Sequence, residues 1–287
     1  MARDLSGARI VVTGAARGIG AGVARAAAAR GAKLGLVGLE PQRLAELAGK
    51  IDACWAEADV SDGAAVTRAI DEVAGKLGGI DIVFANAGIA NFVPLRAMDP
   101  VQFRRIIEVN LIGAFLTARA ALSHVVASRG YVLFNASISA ALAPPGFGAY
   151  GASKSAVEAL GNVLRQEVRH LGVDVGVCYF GFVDTDLVGT ANAVYPAFRL
   201  MKANLPPPAG MVIPLSAAVD AAVRGIERRS WRVVAPWAMH FLLWLRGLLV
   251  RVSPRIATRF MPELERLSAQ TEASKGSEIP TTEPRAD

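Results

Sequence analysis

The chain has 287 residues, 53% of them hydrophobic and 20% charged, with a formal net charge of +6 and two cysteines. The hydrophobic share supports a large core. The sequence lacks a Lys/Arg stripe interleaved with aromatic residues, so it gives no sign of nucleic-acid binding. Cys54 and Cys178 lie far apart in the sequence without a C-x-x-C pair, which favours two reduced thiols over a disulfide or a metal site.

From the N-terminus to about residue 236, short apolar runs alternate with Ala-rich helical stretches. Strands are predicted, in order, at RIVVT, KLGLVG, DACWAEADV, DIVFANAG, YVLFNAS and VDVGVCYFG. Helical stretches separate them, and the longest begins with Asp99 at an N-cap position and Pro100 at the first helical position. This alternation of helices with nearly continuously apolar strands predicts an α/β fold: a three-layer, doubly wound parallel sheet, the Rossmann fold.

The composition changes after residue 236, so we divide the chain into three parts. Residues 1–236 form the predicted Rossmann domain, and residues 237–268 form an appended hydrophobic and basic helical segment. Residues 269–287 are polar and poor in apolar side chains, so we expect them to be disordered. The N-terminal stretch MARDLSGARI is polar and charged, which predicts that no signal peptide precedes the fold.

A glycine-rich turn, TGAARGIG, joins the first predicted strand to the first helix. Gly14, Gly18 and Gly20 leave room for a sharp turn and for the close approach of a pyrophosphate, while the helix N-terminus offers N–H groups and the positive end of its dipole. Ile19 lies at that terminus, and Arg17 either pairs with a phosphate or faces solvent. The position of this loop predicts a dinucleotide site rather than a tight turn alone.

The end of the second strand carries the residues that would distinguish the two phosphate forms of such a cofactor. It reads Gly38–Leu39–Glu40, where an acid directly after the strand would bind a ribose 2′-hydroxyl and repel a 2′-phosphate. Leu39 does neither and Glu40 falls one position late, so we expect NAD or NADP with the preference open. Asp59, followed by Val60, ends the third strand and either accepts from an adenine amino group or caps the next helix.

Five motifs occur in a fixed order: TGAARGIG, NAG (Asn86–Gly88), VNLIG (Val109–Gly113), a serine at position 137 and YGASK (Tyr150–Lys154). Over roughly residues 5–190, this ordered set resembles the short-chain dehydrogenase/reductase family. The resemblance implies a single Rossmann domain that binds a nicotinamide cofactor across the strand ends.

The resemblance also assigns roles. Tyr150 would be the general acid/base, and Lys154 would tune the pKa of that phenol and hold the cofactor ribose. Ser137 would hold the substrate oxygen, with Ser139 as a competitor that fits the spacing to Tyr150 less well, and Asn110 would anchor a water that relays protons to Lys154. Contacts with the cofactor are expected from Gly14, Arg17, Gly18, Ile19, Gly20, Leu39, Asp59, Val60, Asn86, Ala87, Gly88, Tyr150, Lys154, Gly181, Val183 and Thr185.

The residues support the acid/base role independently of the resemblance. Tyr150 and Lys154 lie four positions apart, so on a helix they share one face. A free phenol has a pKa near ~10, too high for proton transfer at neutral pH, and a nearby ammonium together with a positively charged oxidised nicotinamide would lower it. Asn110 interrupts a helical pattern in which Asn is a poor helix former, which predicts a local break with a bound water or a capped kink.

The sequence departs from the family pattern after the sixth strand, where the family usually has Pro-Gly. Phe180 replaces the proline, while Gly181 and Thr185 remain, and Thr185 is expected to contact the nicotinamide carboxamide or a phosphate. The apolar segment Leu187–Pro214 then occupies the place of the family's substrate lid, with a Pro-rich hinge at Pro206–Pro208. It predicts either a lid over an apolar substrate or a helical hairpin that only packs.

The appended segment is dense in Leu, Trp and Arg. Its longest apolar run is broken by Arg246 and is shorter than the ~18–20 residues of a membrane span. Trp beside Arg and Leu suits a membrane interface, so residues 237–260 are a candidate for peripheral membrane contact. Packing on the substrate cleft or on a partner subunit, and a plain core helix, remain alternatives.

Together these features predict an NAD(P)-dependent oxidoreductase that interconverts a lipophilic alcohol and its ketone or aldehyde, of steroid, retinoid, terpenoid or acyl type. A reductase of small polar ketones or sugars and a non-catalytic dinucleotide-binding regulator are the alternatives. We expect a cytoplasmic homodimer or homotetramer, with membrane association through the appended segment and with no nucleic-acid partner and no metal.

Overall fold

The structure is a computed structural model that describes residues 2–205 and 207–275. Its strands are β1 (Arg9–Thr13), β2 (Lys33–Gly38), β3 (Cys54–Glu57), β4 (Ile82–Ala85), β5 (Tyr131–Asn135), β6 (Asp174–Phe180), β7 (Phe182–Val183), β8 (Val212–Ile213) and β9 (Arg232–Ala235). Seven of them form a parallel sheet in the order β3-β2-β1-β4-β5-β6-β9, and β7 pairs with β8. The strand order reverses between β1 and β4, so the predicted doubly wound Rossmann topology is confirmed and its crevice lies at that reversal.

Helices connect the strands. They are α1 (Gly18–Ala28), α2 (Pro41–Ile51), α3 (Gly63–Leu77), α4 (Pro100–Ile107), α5 (Gly113–Ala127), α6 (Ser139–Leu142), α7 (Gly148–Val168), α8 (Asp186–Val194), α9 (Pro196–Ala203), α10 (Leu215–Arg228), α11 (Met239–Trp244), α12 (Arg246–Ala257) and α13 (Met261–Lys275). Short 3-10 turns cover Leu95–Ala97 and Arg169–Leu171.

Side chains along the strands alternate between two hydrophobic layers, one on each face of the sheet. In β1, Val11 belongs to one layer, while Ile10 and Val12 belong to the other. The first layer is closed by α3, α5 and α7, and the second by α1, α2 and α10. Both faces of the sheet are therefore covered, which is why its strands read as continuous apolar runs.

The long helical stretch from Pro100 to Ala127 is interrupted once. α4 follows Asp99, whose side chain accepts a hydrogen bond from the Val101 N–H, so the predicted N-cap is confirmed. A π-turn, Glu108–Ile112, joins α4 to α5. Among the described residues, this is the one helical stretch that is long and apolar enough to cross a membrane, but it packs against α3 and α7 as a core helix does.

The appended segment forms three helices. α11 buries Met239, Leu242 and Leu243 in the first layer, whereas α12 buries no residue, so the interpretation as a plain core helix is wrong for α12. α13 packs on α9 and runs to Lys275, which corrects the disorder expected from residue 269. Contact with α9 gives this polar stretch a partner that its composition did not reveal. Residues 276–287 lie outside the described residues.

Candidate active site

The turn between β1 and α1 is shaped by glycine. Gly14 and Gly18 have φ values of +64° and +57°, a region that side chains with a Cβ rarely adopt. A Cβ on Gly14 would lie 2.8 Å from the Ala87 Cα, and one on Gly20 would press on the Gly14 carbonyl oxygen. α1 has no side-chain cap at its N-terminus, so its first N–H groups remain available to an anion.

A cavity of about 520 Å³ opens at the carboxyl ends of the strands, beside this turn. Of the residues predicted from the sequence, it is lined by Gly14, Arg17, Gly18, Ile19, Leu39, Asp59, Val60, Asn86, Ala87, Gly88, Ser137, Tyr150, Lys154, Gly181, Val183 and Thr185. Gly20 lies beneath the turn and Asn110 lies behind Gly88, and neither of them lines the cavity. Val109 of VNLIG also lines the cavity, so residues of all five sequence motifs meet at one crevice.

Asn86 ties together three neighbouring strand ends. Its side-chain amide donates to the Thr13 carbonyl at 3.0 Å, and its Oδ1 accepts from the Asn135 side-chain amide at 2.9 Å. The Thr13 hydroxyl in turn accepts from the Asn86 N–H at 3.1 Å. The sequence analysis did not predict Asn135 as a site residue. Its position two residues before Ser137, at the end of a predicted strand, could have indicated it.

The end of β2 carries two ion pairs that the sequence did not reveal. Glu40 lines the cavity, and its carboxylate forms ion pairs with Arg17 at 3.0 Å and with Arg43 at 3.2 Å. Leu39, in contrast, is largely exposed. Arg17 therefore does not face solvent unpaired. A carboxylate at this strand end disfavours the ribose 2′-phosphate of NADP, and two guanidinium groups next to it favour that phosphate.

Asp59 is held by its neighbours and does not cap a helix. Its Oδ1 accepts from the N–H and hydroxyl of Ser61, and its Oδ2 accepts from Arg105 at 2.7 Å. Burial raises the pKa of the Asp59 carboxyl, but the bonds from Ser61 and Arg105 outweigh it and hold that pKa below its ordinary value. Asp62 is the N-cap of α3, so the capping alternative for Asp59 is wrong.

Tyr150 and Lys154 share one face of α7, as their spacing predicted. Lys154 Nζ lies 5.7 Å from the centroid of the Tyr150 ring and donates to the Asn135 carbonyl at 2.6 Å. Lys154 is buried, with 3% of its surface exposed, while Tyr150 is half-buried on the cavity wall.

The pKa values of this pair differ from the sequence expectation. Burial raises the pKa of Tyr150 above its ordinary value, and a hydrogen bond with Ser137 offsets only part of that effect. Burial also lowers the pKa of Lys154 to about 8. With the chain's own residues alone, the ammonium does not lower the phenol pKa, because loss of water around both groups is the larger effect.

Two serines follow β5 within the cavity wall. The Ser137 side chain forms a hydrogen bond with Tyr150, and its Oγ accepts a hydrogen bond from the Ser139 N–H at 3.1 Å. The Ser139 hydroxyl is buried and has no hydrogen-bond partner among the described residues. The bond to Tyr150 supports Ser137 over Ser139 as the partner of the phenol.

Asn110 sits in the π-turn, so the predicted local break in the helix is confirmed. Its Oδ1 accepts from the Ile89 N–H at 2.8 Å, and its Nδ2 donates to the Ile89 carbonyl at 2.9 Å and to the Ser153 hydroxyl at 3.0 Å. A Cβ on Gly88 would lie within 3.2 Å of Asn110 Oδ1 and 3.3 Å of Lys154 Nζ. Asn110 thus fixes the loop that passes in front of Lys154.

The half of the cavity beyond Tyr150 is aromatic, which the sequence did not reveal. The Phe147 ring lies 5.4 Å from the Tyr150 ring and 5.3 Å from Phe92, and Phe198 of α9 lies 5.4 Å from both Phe92 and Phe182. These rings come from four distant parts of the chain. No local pattern could therefore have brought them together.

Phe180, the residue that replaces the family's proline, continues β6 and pairs with Ala235 of β9. Its carbonyl accepts from the Ile138 N–H at 3.1 Å, which links β6 to the segment that carries Ser137. Beyond it, Thr185 lies next to Gly18 of the glycine-rich turn. The predicted lid contains α8 and α9, and the predicted hinge includes Pro206, which lies outside the described residues.

The cavity fits a dinucleotide because the glycine turn leaves the N-terminus of α1 open and Glu40 faces the same space. Gly14, Gly18 and Gly20 would admit the pyrophosphate, and Lys154 would hold a ribose. When bound, a nicotinamide ring accepts or supplies a hydride, and the Tyr150 hydroxyl belongs to the wall of the same cavity. A glycine turn with room for a pyrophosphate and a titratable group in one crevice are compatible with a dinucleotide-dependent oxidoreductase.

Comparison with known proteins agrees with this class. A family model described as short chain dehydrogenase matches residues 8–195. The chain therefore belongs to the short-chain dehydrogenase/reductase family, as the motif order predicted, and it is an NAD(P)-dependent oxidoreductase.

Curated relatives match most of the chain. An uncharacterized oxidoreductase of Mycobacterium tuberculosis is 31% identical over 265 residues, which are 88% of this chain and 96% of that protein. A cis-4-hydroxycyclohexanecarboxylate dehydrogenase of Sinomonas cyclohexanicum is 35% identical over 185 residues, which are 62% of this chain and 74% of that protein.

Solved structures of similar proteins contain both forms of the cofactor. An alcohol dehydrogenase from Thermococcus sibiricus, complexed with 5-hydroxy-NADP, is 28% identical with a TM-score of 0.68 and covers 79% of this chain and 94% of its own. A 3-ketoacyl-(acyl-carrier-protein) reductase from Brucella melitensis, complexed with NADH, is 25% identical with a TM-score of 0.72 and covers 80% of this chain and 97% of its own.

Proposed function

We propose that the chain interconverts a lipophilic alcohol and its ketone or aldehyde, with Tyr150 as the general acid/base. The observation that carries this proposal is the position of Tyr150, whose ring lies 5.7 Å from the Lys154 ammonium and 5.4 Å from the ring of Phe147. The phenol therefore borders both a cation that can assist proton transfer and an apolar binding space.

Each polar residue at the site has a separate task in this mechanism. In reduction, the Tyr150 hydroxyl gives its proton to the substrate oxygen, and in oxidation it takes that proton back. Ser137 holds the substrate oxygen and steadies the phenol. Lys154 binds a ribose and, once a positively charged nicotinamide lies nearby, helps to lower the pKa of Tyr150. Asn110 positions the loop in front of Lys154 and anchors the water that supplies protons.

The walls of the cavity support an apolar substrate. α8 and α9 contribute Leu187, Val188, Ala191 and Phe198 to the lining, and Phe92 and Phe147 face them. Steroid, retinoid, terpenoid and acyl compounds offer enough apolar surface to fill such a space. The name of the Sinomonas relative describes a secondary alcohol on an alicyclic ring that also carries a carboxylate, so it supports an alcohol substrate without separating an apolar one from a polar one. A reductase of small polar ketones or sugars is the alternative.

A substrate panel tests the proposal directly. Turnover of apolar alcohols and ketones is compared with that of polar ketones and sugars, with NAD and with NADP. Tyr150→Phe should lower kcat by about 10²–10⁴-fold while cofactor binding stays unchanged. Tyr131→Phe is the matched control, because that hydroxyl is buried against the Ser230 carbonyl at 2.7 Å, away from the cavity. Normal turnover by Tyr150→Phe would refute the assigned role.

We extend the proposal to the organisation of the chain. Residues 1–236 would act as the catalytic domain, and α13 would support α9 as part of the lid, since Leu264 packs in one cluster with Phe198 and Met201. We expect a homodimer or homotetramer in the cytoplasm. Light scattering of the purified chain would test the assembly, and a monomer at micromolar concentration would contradict it.

A further inference from the structure

The outer face of α11 and the start of α12 exposes large apolar side chains. Trp237 and Trp244 are each 80% exposed, Phe241 is 61% exposed and Leu248 is 58% exposed. These four residues follow one another at intervals of four, three and four positions, which places them along one side of a helical path. We call these four residues the outer stripe.

The helices that carry the outer stripe are anchored in the core by their inner side chains. Met239, Leu242 and Leu243 anchor α11 in the core, and Leu249 packs against the same cluster. The path from α11 to α12 is nearly continuous, because the Leu245 N–H donates to the Phe241 carbonyl and the Leu249 N–H donates to the Leu245 carbonyl, both at 3.0 Å. The exposed rings therefore belong to a segment that is anchored in the core.

The segment that carries the outer stripe is basic. No acidic residue occurs between Glu227 and Glu263. Arg246 forms an ion pair with Glu158 at 2.8 Å, which fastens α12 to α7. Arg251, Arg255 and Arg259 are exposed and have no ion pair within the part of the chain that the structure describes.

We propose that α11 and α12 bind the surface of an anionic lipid bilayer, with the outer stripe in the headgroup region and the free arginines on lipid phosphates and carboxylates. Exposed Trp rings prefer the interface between water and hydrocarbon, and arginines beside them match anionic headgroups. The helices lie on the membrane rather than across it, since Met239, Leu242 and Leu243 anchor α11 in the core and α12 carries three arginines. This surface acts independently of the proposed substrate and of Tyr150.

The charge distribution favours lipid over a second copy of the chain. A two-fold contact through the outer stripe would bring the same patch of each copy together. The basic patch of one copy, with Arg251 and Arg255, would then lie against the basic patch of the other, with no acidic residue in the segment to neutralise it. An anionic membrane supplies the missing negative charge.

Flotation of the full-length chain with phosphatidylcholine vesicles, with and without 30% phosphatidylserine (about one anionic lipid in three), tests the proposal. The chain should float with the anionic vesicles and stay in the dense fraction with the neutral ones. Trp237→Ala/Trp244→Ala and Arg251→Gln/Arg255→Gln should each lower partitioning into anionic vesicles by about tenfold or more. Trp231→Ala is the matched control, because Trp231 is also exposed but packs on Arg165 and Arg232 outside the outer stripe, and it should float like the wild type.

Two further measurements keep the outcome clear. NAD(P) binding and the Tm of each variant show whether the fold is intact, and the mass of each variant in lipid-free solution shows whether the stripe joins two copies. The proposal is overturned if folded wild-type chain does not bind anionic vesicles or binds neutral ones equally well. It is also overturned if the stripe variants float normally, or if they change the oligomeric state without lipid.

Discussion

Lys154 should reduce the stability of the folded chain, although the proposed mechanism gives it a role in catalysis. Its side chain is 97% buried, and burial lowers its pKa from 10.5 to about 8. At neutral pH the folded chain therefore holds a charged ammonium in surroundings that disfavour the charge. We predict that Lys154→Met is more stable than the wild type and almost inactive.

The size of the effect follows from the two pKa values. One pKa unit corresponds to about 1.4 kcal/mol, so the difference between 10.5 and about 8 is worth about 3 kcal/mol. The substitution also removes the hydrogen bond from Lys154 Nζ to the Asn135 carbonyl, which costs about 1–2 kcal/mol. The free energy of unfolding should therefore rise by about 1–2 kcal/mol at pH 7.

The effect has a defined pH dependence. Below pH 8, Lys154 is protonated in the folded and the unfolded chain, so the full penalty applies. Between about pH 8 and 10.5 the folded chain loses this proton while the unfolded chain still binds it, and the wild type gains stability relative to the variant. The advantage of Lys154→Met should therefore shrink across this window. Raised pKa values at Cys178 and Tyr150 affect both proteins and largely cancel in the difference.

Urea unfolding of wild type and variant at several pH values, without nucleotide, measures this difference. Lys50→Met is the control, because Lys50 is exposed on α2 and its replacement should change little at any pH. A Lys154→Met variant that is less stable than the wild type at pH 7, or an advantage that does not decrease up to pH 10.5, would refute the reasoning.

Two more predictions concern the cofactor end and the loop in front of Lys154. Glu40→Ala removes the ion-pair partner of Arg17 and Arg43, so both guanidinium groups become available to the ribose 2′-phosphate of NADP. Steady-state kinetics should show that the ratio of the KM for NADP to the KM for NAD falls about tenfold or more. An unchanged ratio would mean that Glu40 does not face the 2′-phosphate. Asn110→Leu leaves the N–H and carbonyl of Ile89 unpaired, so the chain should lose about 2–3 kcal/mol of stability in urea, and wild-type stability would contradict the structural role of Asn110.

The sequence predicted the fold because its signals are local. Each strand is a run of apolar residues, and each crossover carries its own turn and cap residues, such as Asp99 with Pro100. Boundaries were less certain where capping depends on a neighbour: Asp59 resembled a cap, but Asp62 has that role. The polar composition after residue 268 likewise gave no sign that α13 would find a partner in α9.

The sequence by itself determined the alternation of strands and helices, the glycine turn and the shared helix face of Tyr150 and Lys154, because each depends on residues a few positions apart. Only the tertiary structure decided what surrounds them. The ion pair of Arg17 with Glu40, the aromatic cluster around Phe147 and the exposure of the outer stripe join or separate distant parts of the chain. Burial, which sets the pKa of Tyr150 and Lys154, is likewise a property of the packed fold and of no local pattern.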